Sequence, residues 1–139
     1  MDALSLVVDG ELEGETSGSL TALLPITFEP REFVSASVSV SGWNPQSRIA
    51  IGAFAGSNIM AIQLPSGLVS GVVKVYEFSS DKNDASRANV LFIASNVSYK
   101  AYYGSIKVNF SSAERRINGK FFFVTKEGEK YDGEFNITA

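Results

Sequence analysis

The sequence predicts an all-β protein, and three observations lead to that prediction. Apolar and polar residues alternate along several segments, such as residues 34–41 and 105–111, which is the pattern of half-buried antiparallel strands. Turn-forming clusters separate these segments at the spacing of roughly 8–12 residues that is typical of sandwiches and barrels. No segment keeps a helical period over two turns. We therefore expect one domain over residues 1–139, an antiparallel β-barrel or two-sheet β-sandwich of about nine or ten strands.

The strands can be placed in order along the chain. Alternation predicts strands in residues 4–13, 34–41, 105–111, 117–123 and 130–138, and a further strand carries the tyrosines of residues 99–103. Other runs are apolar on both parities, which predicts strands covered on both faces. These runs are residues 49–54, 59–64, 72–78 and 90–94. Residues 20–24, which end at Pro25, are the one place where the pattern tolerates a helical turn.

A short pattern of apolar residue, Asp or Asn, Gly, charged residue and apolar residue occurs at residues 8–12, 117–121 and 131–135. Asp-Gly and Asn-Gly usually mark hairpin turns, but here the alternation continues through each glycine without a change of phase. A glycine at an inward-facing position favours a bulge, a bend or an aromatic ring over bare backbone. We expect these glycines to lie inside strands of a strongly curved sheet.

The inward parity also predicts the core, and Phe122 takes the opposite parity. The predicted core residues are Leu6, Val8, Leu12, Val38, Val40, Ile106, Val108, Phe110, Phe121, Phe123, Phe135 and Ile137.

The composition excludes several kinds of chemistry. The chain has neither Cys nor His, which rules out disulfides, thiol nucleophiles, the usual catalytic triads and the usual zinc sites. Its net charge of −3 gives no support for binding nucleic acid, and no apolar run reaches the ~20 residues that span a bilayer. Asp9, Glu11 and Glu13 share one strand face, which we interpret as a solvated surface rather than a calcium site. We expect no metal, no cofactor and no catalytic residues.

Aromatic side chains are the strongest candidates for a binding site. Tyr99 and Tyr103 share a parity whereas Tyr102 has the other, so rings project from both faces of this segment, and Trp43 is a further candidate. Exposed rings can stack on a sugar or a partner protein. We expect at least one of the four to belong to the core. The serines at positions 35, 37, 39 and 41 are interpreted as a solvent-facing row.

The C-terminal third resembles small bacterial all-β proteins, often exported lipoproteins, of unknown function. Residues 117–123 and 133–135 carry the pattern I-x-G-x-F-x-F followed by G-x-F, and residues 38–43 and 48–51 fit the same strand–turn–strand style. The resemblance implies a bacterial extracytoplasmic domain, although the lipobox cysteine is absent. If the chain is not such a mature domain, a cytoplasmic location is expected, because the N-terminus shows no signal-peptide pattern.

Three functions remain open at this point. We expect a non-enzymatic binding or interaction module whose ligand is a protein, a glycan or a small molecule. The first alternative is a lipocalin-like carrier of a small apolar ligand. The second is a carboxylate-dependent carbohydrate-active enzyme, whose acidic pair would be assembled in three dimensions.

Overall fold

Two antiparallel sheets pack face to face in a computed structural model that describes residues 16–41, 48–81, 84 and 86–138. The described residues form eleven strands and no helix. The strands are β1 (Ser17–Leu23), β2 (Glu32–Val34), β3 (Ser37–Ser41), β4 (Ala50–Ala55), β5 (Asn58–Gln63), β6 (Val73–Glu77), β7 (Asn89–Ala94), β8 (Val97–Lys100), β9 (Tyr103–Ser111), β10 (Arg116–Val124) and β11 (Lys130–Thr138).

The six-stranded sheet has the order β2-β1-β11-β10-β9-β6, and the five-stranded sheet has the order β3-β4-β5-β7-β8. Each sheet ends in strands that pair on one side only among the described residues, so the sheets do not close on one another. The predicted all-β class is confirmed, with the two-sheet sandwich as the correct alternative and the barrel as the wrong one. The first predicted strand, residues 4–13, lies outside the described residues.

The core lies between the two sheets. The rings of Phe92 in β7 and Tyr131 in β11 are 5.7 Å apart across the interface, and one apolar cluster contains residues of both sheets. Every described residue of the predicted core is buried. Leu6, Val8 and Leu12 lie outside the described residues.

The glycines of the repeated pattern lie inside strands, beneath aromatic rings. Gly119 in β10 is paired with Phe135 in β11, and Gly133 in β11 is paired with Phe121 in β10. A Cβ at Gly119 would lie 3.0 Å from Phe135 Cζ, and a Cβ at Gly133 would collide with the ring of Phe121. In each of the two strands, a phenylalanine ring therefore covers the glycine backbone of the other strand. This confirms the prediction for these two copies of the glycine pattern. The copy at residues 8–12 lies outside the described residues.

Three local features differ from the sequence analysis. Leu20 lies in β1 rather than in a helical turn, because β1 pairs with both β11 and β2. The apolar run at residues 72–78 is not covered on both faces, since β6 is an edge strand on which Val75 is 64% exposed. Residues 99–103 are not one strand: β8 ends at Lys100 in the five-stranded sheet, and β9 begins at Tyr103 in the six-stranded sheet.

Candidate functional site

The outer face of the six-stranded sheet carries a row of asparagines. Asn109 in β9 lies opposite Asn118 in β10, and Asn118 lies opposite Asn136 in β11. We call these three residues the asparagine row. Val73 and Ser19 extend it onto the flanking strands β6 and β1. Neighbouring strands are about 4.8 Å apart, so the three amides form a regularly spaced line across the centre of the sheet.

A row of charged residues runs beside the asparagine row. Lys107 in β9 is directly opposite Lys120 in β10, and Lys120 is opposite Glu134 in β11. Like charges at directly opposed positions are unfavourable, and both lysines are exposed. The salt bridges among the described residues do not include either lysine. This part of the face therefore presents two ammonium groups toward solvent.

The two rows line an open groove of about 620 Å³. Its lining also includes Gly119 and Phe135. Glu134 is the one carboxylate among its described lining residues. The groove is thus rich in amides and hydroxyls and poor in acidic groups.

Two tyrosines lie at the other end of β9 from Asn109. Tyr103 has the same parity as Lys107 and Asn109, so it lies on the outer face about 20 Å from Asn109 along the strand. The rings of Tyr102 and Tyr103 are edge to face with centroids 6.4 Å apart, and these residues are 62% and 54% exposed. We call them the tyrosine pair. Phe122 lies on the same outer face, with Lys130 Nζ 5.3 Å from its ring centroid.

The structure divides the four predicted aromatic residues. It brings Tyr102 and Tyr103 together, whereas Tyr99 lies in the five-stranded sheet and packs against the core, with its ring 5.3 Å from that of Phe28. We expected at least one of the four to belong to the core, and Tyr99 comes nearest to that, because it is half-buried against the core cluster without being part of it. Trp43 lies outside the described residues.

The serine row is less exposed than expected. Ser35 Oγ accepts a hydrogen bond from Leu20 N at 3.0 Å, and Ser41 is buried. Ser37 remains exposed. The interpretation of a solvent-facing row is therefore wrong for Ser41.

The asparagine row was missed at the level of the sequence, although a signal for it exists. Parity places each asparagine on an outer face, but only the strand register places them side by side. If Gly119 is covered by Phe135, and Gly133 by Phe121, then Asn118 must lie opposite Asn136. The pattern that predicted covered glycines thus also contained two of the three residues of the asparagine row.

A shallower depression of about 380 Å³ beside the groove brings carboxylates together. Its lining includes Glu32, Asp132 and Glu134. All three are exposed, and Asp132 pairs with Lys130 at 3.7 Å. A general acid in glycoside hydrolysis requires an environment that favours the protonated carboxyl, and exposed carboxylates lack that environment.

Metal binding is not indicated in the described part of the chain, where no group of three or more acidic residues is arranged to hold an ion. Asp9, Glu11 and Glu13 lie outside the described residues. We expect treatment with a chelator to leave the thermal midpoint unchanged, because no structural ion would be removed. A scan with and without EDTA checks this. A fall of several degrees that calcium reverses would contradict it.

No protein-family model, curated protein or solved structure matches this chain. The resemblance of the C-terminal third to exported bacterial proteins therefore stays a prediction. The described residues contain no helix with the length and apolar character needed to cross a bilayer.

Proposed function

We propose that this protein is a non-enzymatic binding module that holds a glycan on the outer face of its six-stranded sheet. The asparagine row is the observation that carries the proposal. Each amide offers one acceptor and two donor hydrogens, which matches sugar hydroxyls that donate and accept at once. The side chains of the asparagine row form no hydrogen bond with another described residue, so their polar atoms are available to a ligand.

The shape of the face favours an extended ligand. The groove is open, and Tyr103 lies on the same outer face of the sheet by its parity in β9. An extended chain that follows β9 meets amides at one end and rings at the other. Rings add stacking energy to hydrogen-bonded contacts, and aromatic anchors are where binding energy concentrates. Binding by this face needs no catalytic group.

The setting of this function is proposed from the sequence. The resemblance of residues 117–123 and 133–135 to exported bacterial domains supports an extracytoplasmic location, where glycans are abundant. The carrier alternative does not use this groove, since its ligand would lie inside the fold. The enzyme alternative lacks a sheltered carboxyl among the described residues of the adjoining depression.

The test is calorimetric titration of the protein with a panel of soluble neutral and acidic oligosaccharides. Asn118→Ala removes the central amide and is expected to weaken binding of a hit about tenfold, which corresponds to one lost hydrogen bond of about 1.4 kcal/mol. Tyr103→Ala is expected to weaken it by a similar factor through lost stacking. Ser37→Ala, on the other sheet, is the matched control and should leave the affinity unchanged.

The salt dependence of the affinity distinguishes binding by hydrogen bonds and stacking from binding by charge. The affinity for a neutral oligosaccharide should change little between low and moderate salt, because screening acts on charges and not on rings or amides. If no oligosaccharide binds, the proposal is wrong. It is also wrong if Asn118→Ala and Tyr103→Ala leave the affinity unchanged while moderate salt abolishes binding. In that case Lys107 and Lys120 would carry the binding.

A further inference from the structure

A second cleft, of about 440 Å³, opens at one end of the sandwich. It lies between the β1–β2 loop, residues 24–31, and the turns that follow β4 and β7. Its wall combines apolar side chains, among them Leu24, Phe28, Phe33, Val97 and Tyr99, with polar ones that include Glu29, Glu32 and Asn58. We call it the end cleft. Its volume falls in the range of about 300–1,000 Å³ that is usual for sites of small organic ligands.

A buried hydroxyl lies behind the wall of the end cleft. Tyr131 is fully buried and stacks on Phe123 with ring centroids 4.4 Å apart. Two wall residues separate it from the cleft: the ring of Phe28 is 6.1 Å away and that of Tyr99 is 6.4 Å away. Tyr131 Oη has no hydrogen-bond partner among the described residues. An unpaired buried hydroxyl costs about 1–3 kcal/mol, so the fold retains this group at a loss of stability.

The hydroxyl is a donor at neutral pH. Burial raises the pKa of Tyr131, and Glu129, Tyr99 and Glu127 raise it further, because negative charge nearby opposes formation of a phenolate. Glu129 also accepts a hydrogen bond from Thr27 Oγ1 at 3.0 Å. The β1–β2 loop that borders the end cleft is therefore in direct contact with the turn that raises the Tyr131 pKa.

Phe28 is the part of the wall best placed to move. It is half-buried on an eight-residue connection between β1 and β2, and its ring meets those of Phe92 and Tyr99 edge to face at 5.6 and 5.3 Å. A ring on a loop can be replaced by a ligand ring of similar size with little change to either sheet. Displacement of this ring would extend the end cleft toward the Tyr131 ring, whose centroid is 6.1 Å from that of Phe28.

We propose that the end cleft binds a small, flat, largely apolar molecule with one hydrogen-bond acceptor, which takes the place of the Phe28 ring and accepts the hydrogen bond of Tyr131. The ligand buries its apolar surface against the aromatic wall, and its acceptor satisfies the hydroxyl that the protein leaves unpaired. This site is separate from the outer face of the six-stranded sheet and does not depend on glycan binding there.

The test uses two fluorescent probes that differ by one acceptor, 6-propionyl-2-(dimethylamino)naphthalene and 2-(dimethylamino)naphthalene. Both are expected to bind the wild-type protein, and the ketone is expected to bind more tightly. Tyr131→Phe removes only the hydroxyl, so it should weaken binding of the ketone probe about tenfold, the value of one hydrogen bond, and leave the affinity for the probe without the ketone unchanged. Tyr76→Phe, in β6 and outside the lining of the end cleft, is the matched control and should change neither affinity.

Two further variants test the location. Phe28→Ala should raise the affinity for both probes, because no ring of the protein has to be displaced. Ala55→Phe, which places a ring in the end cleft from the end of β4, should abolish binding of both while the far-ultraviolet spectrum stays unchanged. The proposal is overturned if neither probe binds the wild-type protein. It is also overturned if Tyr131→Phe affects both probes equally, or if binding survives Ala55→Phe.

Discussion

Replacing Phe121 by Ala is expected to lower the free energy of unfolding by about 3–5 kcal/mol. Phe121 is 4% exposed, and its ring stacks on that of Phe123 with centroids 6.4 Å apart. It also covers the backbone of Gly133 on the neighbouring strand. Truncation therefore opens a cavity in the core and uncovers a glycine that has no side chain to fill the space. Chemical denaturation followed by circular dichroism measures the loss.

Phe122→Ala is the control for this experiment. Phe122 is adjacent in sequence but faces outward and is half-buried, with Lys130 above its ring. Its truncation removes partly exposed surface and a weak cation–π contact, so we expect a loss of about 1 kcal/mol or slightly more. A loss below about 1 kcal/mol for Phe121→Ala, or equal losses for the two variants, would mean that their faces are wrongly assigned.

Gly104→Ala is expected to lower the stability of the protein by more than the cost of a positive φ alone. Gly104 in β9 has a φ of 153°, a value at which a side chain is strained, and such strain alone costs about 1–3 kcal/mol. In addition, a Cβ at this position would collide with Phe122 O and lie 2.7 Å from Phe123 Cα on the paired strand β10. Because these are backbone atoms, the strands must move apart to accommodate it.

Gly128→Ala distinguishes the cost of a positive φ from the cost of the collision with the paired strand. Gly128 also has a positive φ, 86°, but a Cβ there would meet nothing within 4 Å, so only the conformational cost applies. Thermal unfolding of both variants should show a clearly larger fall in the midpoint for Gly104→Ala. Equal falls would indicate that the close approach of β9 to β10 is relieved by a small local movement.

The strand pattern was predictable because most strands of this fold bury one face. Alternation in β9, β10 and β11 separated core from surface correctly, down to the contrast between Phe121 and Phe122. The prediction failed where apolar residues lie on a surface. In β6, Val73 and Val75 are exposed on an edge strand, and periodicity cannot distinguish an exposed valine from a covered one.

The candidate site was predictable only in part, since it depends on which strands are neighbours. The sequence marked Tyr99, Tyr102 and Tyr103 as candidates but did not show which of their rings are exposed. Tyr99 could not be separated from them, because the chain crosses from one sheet to the other between β8 and β9. The contribution of Asn109 to the asparagine row required the pairing of β9 with β10, which no local pattern reveals.

Gly119 and Gly133 each lie beneath a phenylalanine ring of the paired strand. This arrangement also disfavours hairpins in which β10 and β11 pair in the wrong register during folding. A slip of two residues preserves every inward and outward parity, so hydrophobic burial alone does not prevent it. In one direction the slip would set Phe121 opposite Phe135, and in the other it would set Gly119 opposite Gly133. Two rings would then compete for one space, or two bare backbones would face each other across a gap. Only the native register places one ring over each glycine. The side chains of this hairpin therefore favour that register over both slipped ones.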